Sequence, residues 1–129
     1  MDALEAQELL RRFYHRDRDA LTARMGDGFA CHTPGDSPIA GTHRGLRGML
    51  DHVARMQALS GQTFRPHHQD SFITDGRWAL VPVHLRAERM GRLLDQRAFG
   101  VWHFDEQGRV TDHWECPTDM PAFDAFWRD

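Results

Sequence analysis

The chain has 129 residues and a mass of 14.9 kDa; 40% of its residues are hydrophobic, 27% are charged, and its net charge of −3 is spread along its length. That is enough chain for one buried core and not two, and scattered charge argues against a nucleic-acid groove or an anionic membrane surface as the main partner. All sixteen basic side chains are Arg, with neither Lys nor Asn present, which excludes Schiff-base chemistry, pyridoxal-phosphate anchoring and a phosphate loop ending in Lys.

The N-terminal stretch MDALEAQELL is acidic and amphipathic rather than a leader, and no apolar run approaches the roughly 20 residues of a membrane span. A cytoplasmic address is expected. Residues 3 to 16 place Leu4, Leu9, Leu10 and Phe13 at helical intervals. Asp17 or Asp19 can cap a second short helix running to Met25. Tyr14, near the end of the first helix, can turn its hydroxyl into a pocket or sit at the core edge.

Gly26 to Gly28 break the helical pattern, and Phe29 to Thr33 read as a short strand before the turn-rich segment PGDSPIAGTHRG. His32 alternates there with Cys31 and Thr33. Cys31 and Cys116 have no metal-ligand spacing and are expected as reduced thiols in packed strands. Leu46, Met49, Leu50, Val53, Met56 and Leu59 form the stripe of a main amphipathic helix over residues 45 to 59, stopped by Ser60-Gly61. Its Met56 serves both the core and a flexible cavity lining.

From Thr63 the period changes to two. Turns at Thr74 to Arg77, Met90-Gly91 and Gln107-Gly108 separate the strands. Two-residue loops at Met90-Gly91 and Gln107-Gly108 set Arg86 opposite Asp95 and Glu106 opposite Arg109, so opposite charges support both registers. In that register Val81, Val83 and Leu85 share a face with Ala98, Gly100, Trp102 and Phe104, and these with Thr111, His113 and Glu115. Pairing Ile73 with Trp78 brings Phe64, His68, Asp70 and Phe72 to the same face. One row then reads Asp70, Val81, Gly100, Glu115. The other face mixes His84, Arg86, Asp95, Arg97 and His103 with Leu80, Phe99, Val101, Val110 and Trp114, a patch suited to a second subunit and hence to a homodimer. Thr118-Asp119 caps a last helix over Pro121 to Trp127.

On the apolar inner face the polar exceptions are His68, Asp70, Thr111, His113 and Glu115, with His32 nearby. A carboxylate among Val, Ala, Trp and Phe loses hydration and becomes a better proton acceptor. Gly100 opposite Glu115 leaves room above it. Nine His invite a metal reading, but His103 and His113 point to opposite faces and His84 is roughly 20 Å from His103 along the sheet. No metal and no cofactor are expected.

The order of helices and hairpins, with HTPGDSPIAGTHRG before the long helix, FGVWHFDEQGRVTDHWE in the last hairpin and DMPAFDAFW at the end, resembles the nuclear-transport-factor-2-like, cystatin-like superfamily. Within it, the chain looks like the SnoaL-like polyketide-cyclase and ketosteroid-isomerase-related group across essentially its whole length, 1–129, as one domain. The resemblance implies an α+β cone: a strongly curved, mostly antiparallel sheet wrapped around N-terminal helices and one long central helix, enclosing a cavity. It also implies that Glu115, after His113-Trp114, is the acid–base on the final strand. The similarity to limonene-epoxide hydrolases puts their last-strand acid on Glu115 and their polar residue before Pro on His32, while their middle-strand Arg and Asp fall on Val81 and Val83.

The expected function is cofactor-free acid/base chemistry on a small apolar, polyketide-like substrate: isomerisation, cyclisation, hydration or dehydration. Glu115, His32 and His113 would be catalytic, and Tyr14, Asp70, Gly100, Val81, Val83 and Met56 would bind the ligand, with Trp102 stacking on it. A non-catalytic carrier of a hydrophobic ligand competes with this reading, as does an interaction module built on the outer patch.

Overall fold

A computed structural model describes residues 1–68 and 71–129; Asp70, expected to bind ligand, lies outside the described residues. The elements in chain order are α1 (Ala3–Tyr14), α2 (Asp19–Thr22), β1 (Met25–Thr33), β2 (Gly41–Arg44), α3 (Gly45–Leu59), β3 (Arg65–His68), β4 (Ile73–Thr74), β5 (Trp78–Arg89), β6 (Arg92–Phe104), β7 (Val110–Pro117) and α4 (Met120–Trp127). The fold is α+β, with helices on a mixed, mostly antiparallel seven-stranded sheet of order β2-β1-β7-β6-β5-β3, β4 pairing with β5. The pairing of β1 with β7 is parallel.

α1 starts in a capping box. The Asp2 carboxylate accepts from the Glu5 amide at 2.8 Å, and the Asp2 amide donates back to the Glu5 carboxylate at 3.3 Å. Ala6, Leu9 and Leu10 are its buried residues, while Leu4, expected in the stripe, is 76% exposed. α2 is shorter than expected. Arg18 occupies its N-cap without a side-chain bond, so neither Asp17 nor Asp19 caps it, and residues 26 to 28 belong to β1 instead of breaking a helix.

α3 has the expected limits and ends at Ser60, followed by Gly61 with φ 58°. Its buried residues are Met49, His52 and Met56, and Leu46 and Leu50 are partly exposed. The face that packs is therefore rotated toward a histidine that a purely apolar stripe passes over. α4 is capped as expected, the Asp119 carboxylate accepting from the Ala122 amide at 3.1 Å, and it buries Phe123, Phe126 and Trp127.

The β5–β6 register is the expected one: Arg86 faces Asp95, Val81 faces Gly100, and Arg89 faces Arg92 across a Met90-Gly91 turn with φ 52° and 74°. Gly100 faces Glu115 and Trp102 faces His113. At the tip of the last hairpin the expectation fails. The Asp105 carboxylate accepts from the amides of Gln107 and Arg109 and pairs with the Arg109 guanidinium at 2.9 Å, which draws Arg109 away from Glu106. The ladder then slips by one residue, so that Phe104 faces Val110. Val110 is buried, and Thr111 lies against the outer-face His103 at 2.6 Å. These two residues exchange the faces expected for them. On the other side of β5, Ile73 pairs with Leu80 and not with Trp78.

Candidate functional site

β6 and β7 carry the inner row, and α1 and α3 close over it. Trp102 is fully buried at its centre. Its indole Nε1 donates to the Tyr14 hydroxyl at 3.1 Å, and its ring stacks on His113 with centroids 3.9 Å apart and planes 25° from parallel. Phe13 meets it edge-on at 5.1 Å. The face of Trp102 expected to hold a substrate is therefore taken by His113.

The space expected above Gly100 is filled as well. A Cβ at residue 100 would lie nearer than 3.0 Å to the Tyr14 hydroxyl, and 3.2 Å from His113 Cε1. Glycine here admits the tyrosine that α1 delivers, not a ligand. Val81 and Val83, 0% and 2% exposed, belong to the packed core and not to the pocket lining.

A pocket of about 110 Å³ opens beside this row. Phe13, Met49, Val53, Met56, Phe64 and Phe123 supply apolar wall, and Tyr14, Thr33, His52, His113 and Glu115 supply polar groups. Tyr14, Met56, Trp102, His113 and Glu115 are thus brought together as expected. His68 lies against the ring of Tyr14 at 5.9 Å.

His32 is not brought into this pocket. The parallel pairing sets Cys31 beside His113 and His32 beside Trp114. His32 accordingly stacks on Trp114 at 5.1 Å and bonds Asp112 at 2.9 Å and the Thr42 hydroxyl at 3.0 Å.

The candidate acid–base pair is His113 with Glu115. His113 Nδ1 donates to the Val101 carbonyl at 3.3 Å, which turns Nε2 toward Glu115 Oε2 at 3.5 Å. A carbonyl only accepts, so Nδ1 keeps its hydrogen and the Nε2–Oε2 contact is attractive only with a proton on one of the two atoms. The second oxygen, Glu115 Oε1, is buried and has no hydrogen-bond partner among the described residues. Burial, followed by the charge of Glu115, pushes the Tyr14 phenol well above its ordinary range, and the bond from Trp102 opposes them. Tyr14 is therefore a neutral O–H donor beside an acceptor. Burial pushes the Cys31 thiol up to about 11, against a nucleophilic role. Cys116 is exposed, not packed as expected.

His52 is a pocket residue that the apolar stripe of α3 did not reveal. Its position three after Met49 and four before Met56 was the available signal. Nε2 bonds the Thr33 hydroxyl at 3.0 Å, the ring stacks on His43 at 3.9 Å, and Nδ1 is buried without a partner among the described residues. Burial, then the neighbouring His43 and His113, push it down to about 3. The unfolded chain, with an ordinary imidazole near about 6.5, takes up a proton that the folded one refuses. Stability is full above that value and falls by about 1.4 kcal/mol per pH unit below it. Urea midpoints should fall between about pH 7 and pH 5, and less so in His52→Gln; equal losses in both proteins would remove the assignment.

Among the described residues no three His, Cys, Asp or Glu converge as metal ligands, and no helix is long and apolar enough to cross a membrane.

An apolar pocket between helices and one sheet face, with acid–base groups on the final strand, is a candidate small-molecule site on an α+β scaffold. Residues 6–113 match the model of the SnoaL-like domain, and the chain belongs to that family. Among solved structures, Bal32a from a soil-derived mobile gene cassette is similar at 31% identity, over 98% of this chain and 95% of that one, with a TM-score of 0.81. A Xanthomonas campestris protein with a cystatin-like fold is similar at 22% identity over 100% of both chains, with a TM-score of 0.82. A Mycobacterium tuberculosis protein in complex with estradiol-17beta-hemisuccinate shares the fold at 16% identity over 89% of this chain and 93% of that one, with a TM-score of 0.64. A search of curated proteins finds no match.

Proposed function

We propose that residues 1–129 act as one SnoaL-like domain and a small-molecule enzyme, performing cofactor-free acid/base chemistry on a small apolar, polyketide-like substrate held where the sheet curls around the helices. The observation that carries this reading is Glu115 Oε1, a buried carboxylate oxygen without a protein partner in an apolar pocket. A substrate C–H or O–H supplies the missing partner. His113 steadies Oε2, and the Tyr14 hydroxyl donates to the oxygen on which charge develops. Isomerisation, cyclisation and dehydration all begin with such a transfer. The test is deuterium uptake from heavy water by small cyclic and polyketide-type ketones, read by mass spectrometry. Uptake above the buffer rate supports the enzyme.

Binding without uptake supports a second reading, a carrier that returns its ligand unchanged. The apolar walls favour it, as does the steroid ester held by the Mycobacterium tuberculosis relative.

We further propose that the outer sheet face pairs two copies of the chain. Trp78, Leu80 and Phe99 are 49%, 36% and 37% exposed there, a patch that water disfavours. Sedimentation equilibrium should give a dimer, and Phe99→Arg a monomer; a monomeric parent would end this assignment.

A further inference from the structure

A second hollow adjoins the apolar pocket, lined in part by Arg16, Arg18, Arg65 and His67, of which Arg16, Arg18 and His67 are exposed. The two hollows share Phe13, Tyr14, Arg18, Val53, Gln57 and Phe64, with Pro66 also common to both, so the outer one is the vestibule of the inner one. Among the described residues no Asp or Glu lines the vestibule. None of its three arginines makes an ion pair with a carboxylate among the described residues, although six other arginines of the chain do.

Two of these guanidinium groups are held by neutral partners. Arg65 Nη1 donates to the Phe64 carbonyl at 2.7 Å and to the Gln57 side-chain oxygen at 3.4 Å. Arg18 lies over the Phe13 ring, 6.0 Å from its centroid. Such contacts orient a cation and leave its charge unmatched. In a chain of net charge −3, a positive collar on an apolar pocket is a selective feature.

We infer that the ligand is an apolar acid whose carboxylate is held in the vestibule by Arg18 and Arg65, with Arg16 adding to the field, while its hydrocarbon body fills the pocket. This rests on the pocket being a small-molecule site and narrows the substrate class of that site. The orientation follows from charge. Among the described residues Glu115 is the one carboxylate lining the inner pocket, and it does not line the vestibule, so an anionic head is repelled from the inner end and attracted at the mouth. The reacting part of the substrate is then the uncharged end, delivered to Glu115, His113 and Tyr14.

Phenylbutyrate and its neutral counterpart phenylbutyramide separate the two ideas. In calorimetric titrations at about 0.01 M salt the acid should bind about tenfold tighter than the amide, and the advantage should vanish at about 1 M salt. It should also vanish at low salt in the double variant Arg18→Gln, Arg65→Gln, in which acid and amide should bind alike. Both side chains lie at the mouth, and a melting curve checks that the variant folds. Equal affinity for acid and amide in the parent, or preference for the acid surviving in the double variant, would overturn the vestibule while leaving the pocket intact. Saturable binding of neither compound would overturn both.

Discussion

Glu115→Gln is expected to lower kcat on the protein's substrate by about a hundredfold or more, the usual contribution of a positioned general base, with KM changed little. Gln keeps the size of the side chain and removes its capacity to take a proton. The effect on stability should be small, because Glu115 Oε1 has no hydrogen-bond partner among the described residues to lose and Oε2 meets only His113, at 3.5 Å. A large drop in kcat with an unchanged melting curve is therefore the expected signature. Turnover equal to the parent would remove Glu115 from the chemistry. Weakened binding with no turnover in either protein would instead describe a carrier.

Gly100→Ala has the largest effect on folding that the site predicts. The added methyl enters the space of the Tyr14 hydroxyl, against the His113 ring. Overpacking of this kind costs about 1 to 3 kcal/mol, and moving the hydroxyl also strips Trp102 Nε1 of its acceptor. Tyr14→Phe in the parent should cost about 1 to 3 kcal/mol, because it leaves a buried indole N–H unsatisfied. In the Gly100→Ala background the same change should be neutral or favourable, since it clears the collision. Urea unfolding of the four proteins gives the coupling directly, and additive losses would show that hydroxyl and glycine do not compete for one space.

Much of the frame was legible from the chain because it obeys local rules. Residues 45 to 59 and the Asp119-capped helix follow periodicity and capping, and the β5–β6 register follows from a two-residue turn with Arg86 opposite Asp95. The pairing expected for β6 and β7 put Trp102, His113 and Glu115 on one face, and the structure keeps Trp102 opposite His113 and Gly100 opposite Glu115. The failures have other causes. Asp105 organises its own turn and shifts the pairing at the hairpin tip by one residue, which no two-residue template contains. His32 alternates correctly with Cys31, but which of them faces inward depends on β1 lying beside β7, a pairing between distant parts of the chain. The occupant of the gap at Gly100 depends on how α1 approaches the sheet, and strand period carries nothing about that. His52 lies at helical spacing between Met49 and Met56, and a stripe defined by apolar residues leaves it out because it is polar.

The order of the sheet bears on how the protein comes into being. β7, the last strand in sequence, lies between β1 and β6. Without Val110–Pro117, β1 with β2 and β6 with β5 and β3 would be two separate ribbons, each with an open edge that can recruit strands from other chains. The same strand brings His113 and Glu115, so the acid–base pair and the closure of the sheet arrive together. Until that strand docks, both edges stay open and the pocket lacks His113 and Glu115.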